Sequence, residues 1–530
     1  MLSSNKLILE TIAVLREHGV MDYVLCPGSR NAGIVHSICE SEDFCHMATD
    51  ERSAGFMAIG LALSSNLPTA VIVTSGSALA NLYPAACEAY YQHVPVVFIS
   101  ADRPAAWIGQ MDGQTMPQEG ALGKMVKMSI SLPEENIWHA NRLLNEVMLV
   151  CKDRLPQGPV HINIPICEPI YEFTVKDLPS VRTIKFCSTL KDLYIKNTKT
   201  LIILGQTPMH ENIPATILAQ LAQRYSIVAE NLSNIPLKYY TNAFCIDWSR
   251  MEYVDRVITL GGHIINKELK QFFRIHNPKE HWHVSSDGAV ADLFCCQTLA
   301  IQSSIQDFLQ ELLSKSDTQS KPINLPLTPT KDIDRRTDII AEFFSLLPPG
   351  AAVHLANSST VRLAQIAMEL SRNKEGFSVP TILCNRGING IEGSLSTAVG
   401  YAKTFQHEEV YIIIGDLSFF YDQNALWTTP LPRNLHILLF NDGHGSIFNT
   451  LPVPQEPAAS RYAIMGEHNR SAMHVAMLHN IRYLEGEENM HEFINSEETT
   501  ILEIKENGKV KTHPELNVKL STLNIKRHYI

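Results

Sequence analysis

Two side chains with the chemistry of metal ligands stand where apolar runs stop abruptly. Val410-Tyr411-Ile412-Ile413-Ile414 ends at Gly415-Asp416, and the run from Leu435 to Phe440 ends at Asn441-Asp442. Each run has the length and the Ile/Leu content of a strand buried on both faces. Between them, Asp422 to Trp427 has helical character. Strand, helix, strand is the unit of a parallel sheet, and α/β proteins bind ligands at the carboxyl ends of such strands. Oxygen ligands delivered there suit a hard cation such as Mg²⁺, which keeps waters and shares itself with phosphate oxygens. The pattern implies a metal-anchored diphosphate.

A third carboxylate, Glu51, opens the stretch ERSAGFMAIGLAL, whose Ser53, Ala54, Gly55, Ala58, Gly60 and Ala62 permit very close helix packing. Taken alone, a carboxylate in a first turn complements the helix dipole. Arg30, Arg103, Arg362 and Arg386 each fall in a strand-end turn or at a helix start, beside Ser29, Asp102, Ser358 and Asn385. Guanidinium groups hold carboxylates bidentately and in one orientation. Four of them at such positions in an acidic chain point to carboxylate-bearing substrates.

The elements that must position these groups alternate between helix and strand. The sequence predicts a helix through Val20, a strand at Tyr23-Val24-Leu25, a helix over Glu51 to Leu63, a strand over Ala70 to Thr74, a helix over Ala78 to Tyr91 and a strand over Val94 to Ile99. This doubly wound pattern puts the turns CPGSRN, TSGS and SADRP on one edge of a parallel sheet. The Pro-spaced stretch from Asn163 to Pro179 reads as a connector, and Ser314 to Asp332 as a linker. Between them, strands at Thr200 to Leu204 and Arg256 to Leu260 are closed by Gly205 and by Gly261-Gly262, without a dinucleotide fingerprint. His281 and His283 sit two apart, but no further ligand set accompanies them, so they read as structural. ERSAGFMAIGLAL and IEGSLSTAVGYA are both small-residue helices after a polar turn, a hint of duplication.

The expected fold class is therefore α/β, with domains at about 1–180, 190–315 and 332–530. At 530 residues the chain exceeds what one core supports. With 44 Lys+Arg against 55 Asp+Glu, the formal charge of -11 argues against a nucleic-acid partner. No apolar run reaches membrane-spanning length, which argues against membrane insertion, and the first twenty residues pattern as an amphipathic helix rather than a secretory signal. Eleven cysteines without regular spacing do not suggest a disulfide framework, and a reducing cytoplasm is expected.

The spacing from Gly415-Asp416 to Asn441-Asp442 resembles the thiamin-diphosphate signature, with Asp442 in place of its second Asn. Thiamin chemistry needs a carboxylate at the aminopyrimidine ring, which gives Glu51 a task. It also needs a bulky apolar wedge under the cofactor, and Ile391, on a loop stripped of bulk by Gly387, Gly390 and Gly393, is placed for it. CPGSR, DERSAGF, TSGSALANLYPA, SADRP, ANSSTVR, NRGINGIEG, GDLSFFYDQNAL and NDGHGSIFNTLP together resemble, in order, the 2-succinyl-5-enolpyruvyl-6-hydroxy-3-cyclohexene-1-carboxylate synthase family of menaquinone biosynthesis. The resemblance covers the first and third domains; the middle one matches only in length and α/β character.

This resemblance implies three doubly wound parallel-sheet domains in a thiamin-diphosphate-binding fold, with thiamin diphosphate and Mg²⁺ (or Mn²⁺) as cofactors. It implies decarboxylation of 2-oxoglutarate and conjugate addition of the resulting four-carbon carbanion equivalent to isochorismate. Carried over by position, Glu51 is the catalytic acid, and Asp416, Asp442 and the carbonyl of His444 are metal ligands. Glu51, Gln114, Ile391, Gly415, Asp416, Leu417 and Ser418 line the cofactor. Ser29, Arg30, Arg103, Ser358, Arg362 and Arg386 hold substrate, and Ile447 and Phe448 form an apolar wall. A homodimer or homotetramer is implied, with Glu51 of one chain facing Asp416 of the other. The competing readings are a 2-oxoacid carboligase of the acetolactate-synthase type, which needs fewer arginines, and a non-catalytic α/β binding protein, for which Glu51, Asp416 and Asp442 have no use.

Overall fold

A computed structural model describes residues 1–505 apart from 42–43, 196–197, 209–210, 212, 316–321, 329–333, 375–376, 406–407 and 451–457. Its contacts divide into two compact units, one of residues 1–193 with 279–303 and one of residues 194–278 with those from 304 onward. Most of the expected linker after Ser314 lies outside the described residues.

The first unit contains a six-stranded sheet in the order Phe44–Met47, Asp22–Leu25, Thr69–Val73, Val96–Asp102, Val160–Pro165, Ser129–Ser131, parallel throughout. Its central strands are buried on both faces because both are apolar. Tyr23, Leu25, Ala70, Ile72, Val97 and Ile99 pack into one core, while Val24, Val71, Val73, Val96 and Phe98 pack into another on the opposite face. Period-two alternation thus feeds two helical layers. Three further parallel strands of this unit, Glu280–Ser285, Gln297–Gln302 and Lys185–Cys187, pair in that order.

In the second unit, Thr200–Leu204 lies parallel between Ser226–Ala229 and Arg256–Leu260. A second six-stranded parallel sheet runs Thr381–Leu383, Ala352–Leu355, Val410–Gly415, Leu435–Asn441, Thr500–Lys505, Arg482–Glu485. The two strands that opened the sequence reading are neighbours in register, Ile412 against Ile437 and Gly415 against Phe440. Both candidate ligands therefore emerge at one edge. The α/β class and the parallel sheets match the expectation.

Some boundaries differ for local reasons. The helix expected from Asp422 begins instead at the strand end, as Asp416–Tyr421, followed by a single 3-10 turn over Gln423–Leu426. The Asp416 carboxylate accepts the Leu417 amide at 2.6 Å, which starts the turn at once. The helix expected over Ala78 to Tyr91 is two, Ser77–Asn81 and Tyr83–Gln92, since Pro84 has no N–H to bond back across Leu82. The first helix stops at Glu17, where Gly19 turns left-handed at φ +84°. Among the described residues no helix is long and apolar enough to cross a membrane.

His281 and His283 lie buried in the strand Glu280–Ser285, and burial lowers their pKa values to about 3 and about 4. Burial likewise lowers His18, His161 and His354 to about 4. A histidine held neutral by folding contributes stability that is complete above its ordinary pKa of 6.5 and is lost as pH falls toward the folded value. Each such group is worth about 1.4 kcal/mol per pH unit. Urea titrations should show stability falling steeply from pH 6.5 to 5, and His161→Gln should make that slope shallower; equal slopes in the two proteins would contradict the assignment.

Candidate active site

In the second unit the strand Val410–Gly415 delivers Asp416, which is only 4% exposed. Besides the Leu417 amide, the carboxylate accepts the His444 N–H through Oδ2 at 3.1 Å, and His468 Nε2 stands 3.3 Å from the same oxygen. Burial pushes the Asp416 carboxyl up to about 6; the Leu417 amide opposes that shift and the charge of Asp442 adds to it. Two acidic groups thus face one poorly hydrated space, the arrangement a divalent cation relieves.

The strand Leu435–Asn441 delivers Asp442 one residue past its end. Its Oδ2 accepts Arg336 Nη1 at 2.7 Å, while Oδ1 is buried without a partner. Asn441 is committed elsewhere, donating to Glu503 Oε1 at 2.6 Å and to the Arg470 carbonyl at 2.8 Å. His444 closes the turn: Nδ1 lies 2.8 Å from the Asp442 carbonyl and Nε2 lies 3.1 Å from Asn449 Nδ2, so Nδ1 carries the proton. A Cβ built on Gly415 would meet no atom within 4 Å, leaving open space beside Asp416. An orphaned carboxylate oxygen, a raised carboxyl and a bare glycine at one sheet edge suit a divalent cation carrying a phosphate group.

Ile391, 38% exposed, is tied to this edge because the Ser418 hydroxyl donates to its carbonyl. Leu417 flanks the same turn, its δ carbons within 3.4 Å of where Cβ atoms on Gly445 and Gly466 would stand. Phe448 covers Gly445 so closely that a Cβ there would come within 2.9 Å of its ring. Ile447 shares the short 3-10 turn Ser446–Thr450 with it.

Arg386 is 7% exposed and donates Nη1 to Asn357 Oδ1 at 2.9 Å, while its Nε is buried without a partner. Arg362, in the helix Ser359–Ser371, folds back to the carbonyl of Ser358, which sits at φ +76°. Burial, reinforced by the Arg386 charge, lowers the Arg362 pKa. From the middle of the chain, Glu230 and Lys270 interact electrostatically with these arginines. Burial raises Glu230 to about 7 although it accepts the Ile265 and Asn266 amides, and burial lowers Lys270. Neither was legible in the sequence, because nothing local marks a residue whose charged partners lie far along the chain.

In the first unit, Glu51 heads the helix Glu51–Ser65 and accepts Asn81 Nδ2 at 3.1 Å, half-buried. Arg30 is buried and bonds the Ile166 carbonyl at 3.1 Å and Glu168 at 2.9 Å, with Nε unpartnered; its neighbour Ser29 is exposed. Arg103 pairs with Asp112 at 3.0 Å and leaves Nη1 buried without a partner. Gln114 is exposed at φ +58°, and a Cβ on Gly76 would lie 3.2 Å from its backbone. Beneath these turns lies a buried network the sequence reading missed. Gln118 accepts the Gly76 amide at 2.6 Å and donates to Asn163 Oδ1 at 2.7 Å, and Asn163 donates to Asp102 at 2.9 Å. It ties the turn after Thr69–Val73 to the end of Val96–Asp102 and to the strand Val160–Pro165.

Residues 10–124 match the family model described as the N-terminal TPP binding domain of thiamine pyrophosphate enzymes. Over 529 residues the chain is 45% identical to a 2-succinyl-5-enolpyruvyl-6-hydroxy-3-cyclohexene-1-carboxylate synthase of Phocaeicola vulgatus, covering 93% of this chain and 92% of that one. The chain belongs to this synthase family. Relatives of the same name from Bacteroides fragilis and Cytophaga hutchinsonii are 42% and 35% identical, each over 89% of both chains. The middle region, which carried no motif, is thus inside the family match too.

Asn357 anchors the loop that presents Arg386 and Ile391, donating to the carbonyls of Asn385 at 2.8 Å and Gly390 at 2.7 Å. Asn357→Ala should cost about 2–3 kcal/mol in denaturant unfolding, since it strands buried partners. Amide exchange over residues 384–393 should accelerate selectively; unchanged exchange there would show that the loop is held by something else.

Proposed function

We propose that this chain decarboxylates 2-oxoglutarate and adds the resulting four-carbon unit to isochorismate, giving 2-succinyl-5-enolpyruvyl-6-hydroxy-3-cyclohexene-1-carboxylate for menaquinone biosynthesis. The observation that carries this reading is family membership over about nine-tenths of both chains. The charge pattern supports it independently: both substrates bear two carboxylates, and buried arginines with unpartnered nitrogens occur at both sets of strand ends.

Thiamin diphosphate, when bound, supplies an electron sink for the carbon that loses CO₂. This chain's residues do the rest. Asp416, the free oxygen of Asp442 and the carbonyl of His444 hold Mg²⁺ or Mn²⁺, and Gly415, Leu417 and Ser418 border the diphosphate. Glu51 exchanges a proton at the pyrimidine ring, with Gln114 beside it and Ile391 as the wedge. Arg30, Arg103, Arg362 and Arg386, with Ser29 and Ser358, bind and orient the substrate carboxylates, while Ile447 and Phe448 exclude water on the apolar side.

The working form is a homodimer or homotetramer of three-domain chains, with boundaries near 1–180, 190–315 and 332–530. Helices Glu51–Ser65 and Ser394–Thr404 support this. Each exposes a glycine, Gly60 and Gly400, where an added Cβ would meet nothing within 4 Å, and Phe56, Met57 and Leu63 are exposed on the first. Such faces suit close packing by a second copy that would bring Glu51 to the partner's metal edge. The acidic net charge and the free cysteines fit a cytoplasmic enzyme without a nucleic-acid partner.

The test is product analysis with thiamin diphosphate, Mg²⁺, 2-oxoglutarate and isochorismate. The expected product carries isochorismate's ring plus a succinyl unit, with one CO₂ released. Turnover of pyruvate to a two-carbon adduct in preference to 2-oxoglutarate would overturn the reading in favour of the acetolactate-synthase type. Glu51→Gln should lower kcat by roughly 10²–10⁴-fold, the usual contribution of a positioned acid, with cofactor still bound; full activity would remove Glu51 from its role. Arg386→Ala should raise KM for a dicarboxylate substrate by roughly 10–100-fold, as expected for a lost charged hydrogen bond; unchanged KM values for both substrates would contradict it.

A further inference from the structure

Asp442 departs from the carboxamide that the thiamin signature has at this position, and the structure shows what accompanies the departure. Arg336, the second residue of the helix Arg335–Leu346, is held at its base by Asp334, which accepts the Arg336 amide at 2.9 Å, Nε at 3.1 Å and Nη2 at 2.7 Å. That fork leaves Nη1 to reach Asp442 Oδ2 at 2.7 Å and Ser446 Oγ at 2.9 Å. The contact is sheltered, the side chains of Arg336 and Asp442 being 13% and 5% exposed. The other Asp442 oxygen, Oδ1, is buried with no partner.

A carboxylate with one oxygen fixed by a guanidinium presents one oxygen to a metal. A carboxamide does the same. We infer that Arg336 is a positioning residue that turns Asp442 into a single-oxygen ligand, and that the pair selects Mg²⁺ over larger cations. Mg²⁺ demands near-octahedral geometry with single-oxygen ligands, whereas Ca²⁺ takes more oxygens and accepts a bidentate carboxylate. An unpaired Asp442 would offer both oxygens, and its full charge would stand beside Asp416, which already bears on it. The inference rests on the metal-site reading given above. It assigns Arg336 no contact with metal, cofactor or substrate.

The experiment measures binding of Mg²⁺ and of Ca²⁺ by calorimetry in the presence of thiamin diphosphate, for the full chain, Arg336→Met, and the double variant Arg336→Met with Asp442→Asn. In the unsubstituted chain Mg²⁺ is preferred. Arg336→Met should shift the ratio of the two dissociation constants toward Ca²⁺ by about tenfold, equivalent to about 1.4 kcal/mol. The double variant should restore the original preference, since a carboxamide presents a single oxygen without needing the guanidinium. A ratio unchanged in Arg336→Met overturns the inference while leaving the metal site intact. If that variant does not fold, a double variant that binds Mg²⁺ with the original preference supports the inference, and one that loses the preference overturns it. No divalent binding to the unsubstituted chain would remove the metal-site reading and the inference with it.

Discussion

Charge concentrated where water is scarce organises the second unit. Asp416 is buried at the end of a fully apolar strand, faces a second carboxylate, and carries a carboxyl pushed up to about 6. A chain gains nothing in stability from that arrangement; left to itself it would neutralise the group or pair it. The partial compensations are the amides of Leu417 and His444, and Arg336 on Asp442. What they leave over, one orphan oxygen and an open glycine, is the feature that a cation and a phosphate would complete.

The arginines repeat the same logic with opposite sign. Burial and the Arg386 charge lower the Arg362 pKa, and Asn357, a neutral acceptor, satisfies only part of Arg386. In the first unit Arg30 and Arg103 likewise keep buried nitrogens without partners. In the proposed function, metal and substrate would complete this incomplete pairing, which rests on networks such as Gln118–Asn163–Asp102 that are complete. Two residues beside these groups, Gln114 and Ser358, have positive φ.

The strands were legible because their patterns are strong. Val410–Gly415 and Leu435–Asn441 have nearly the bounds their apolar runs suggest, and the edge they share follows from parallel topology. Helix starts were harder, since they turn on single residues: one helix begins at Asp416 directly at the strand end, and Pro84 splits another. The site residues that escaped notice, Asn357, Gln118, Glu230 and Arg336, act through partners far along the chain. Asn357 could have been found, since it stands inside the ANSSTVR stretch beside Ser358. Arg336 could not, because only the fold reveals that it faces Asp442.

In the proposed function, the edge formed by Asp416 and Asp442 joins cofactor to protein through a divalent cation. Calorimetric titration of thiamin diphosphate into the metal-free chain, in chelator and then with Mg²⁺, tests it directly. The account predicts tight binding only with Mg²⁺, and loss of that dependence in Asp416→Ala. Equal affinity in chelator, or an Asp416→Ala variant that binds cofactor with undiminished Mg²⁺ dependence, would contradict it.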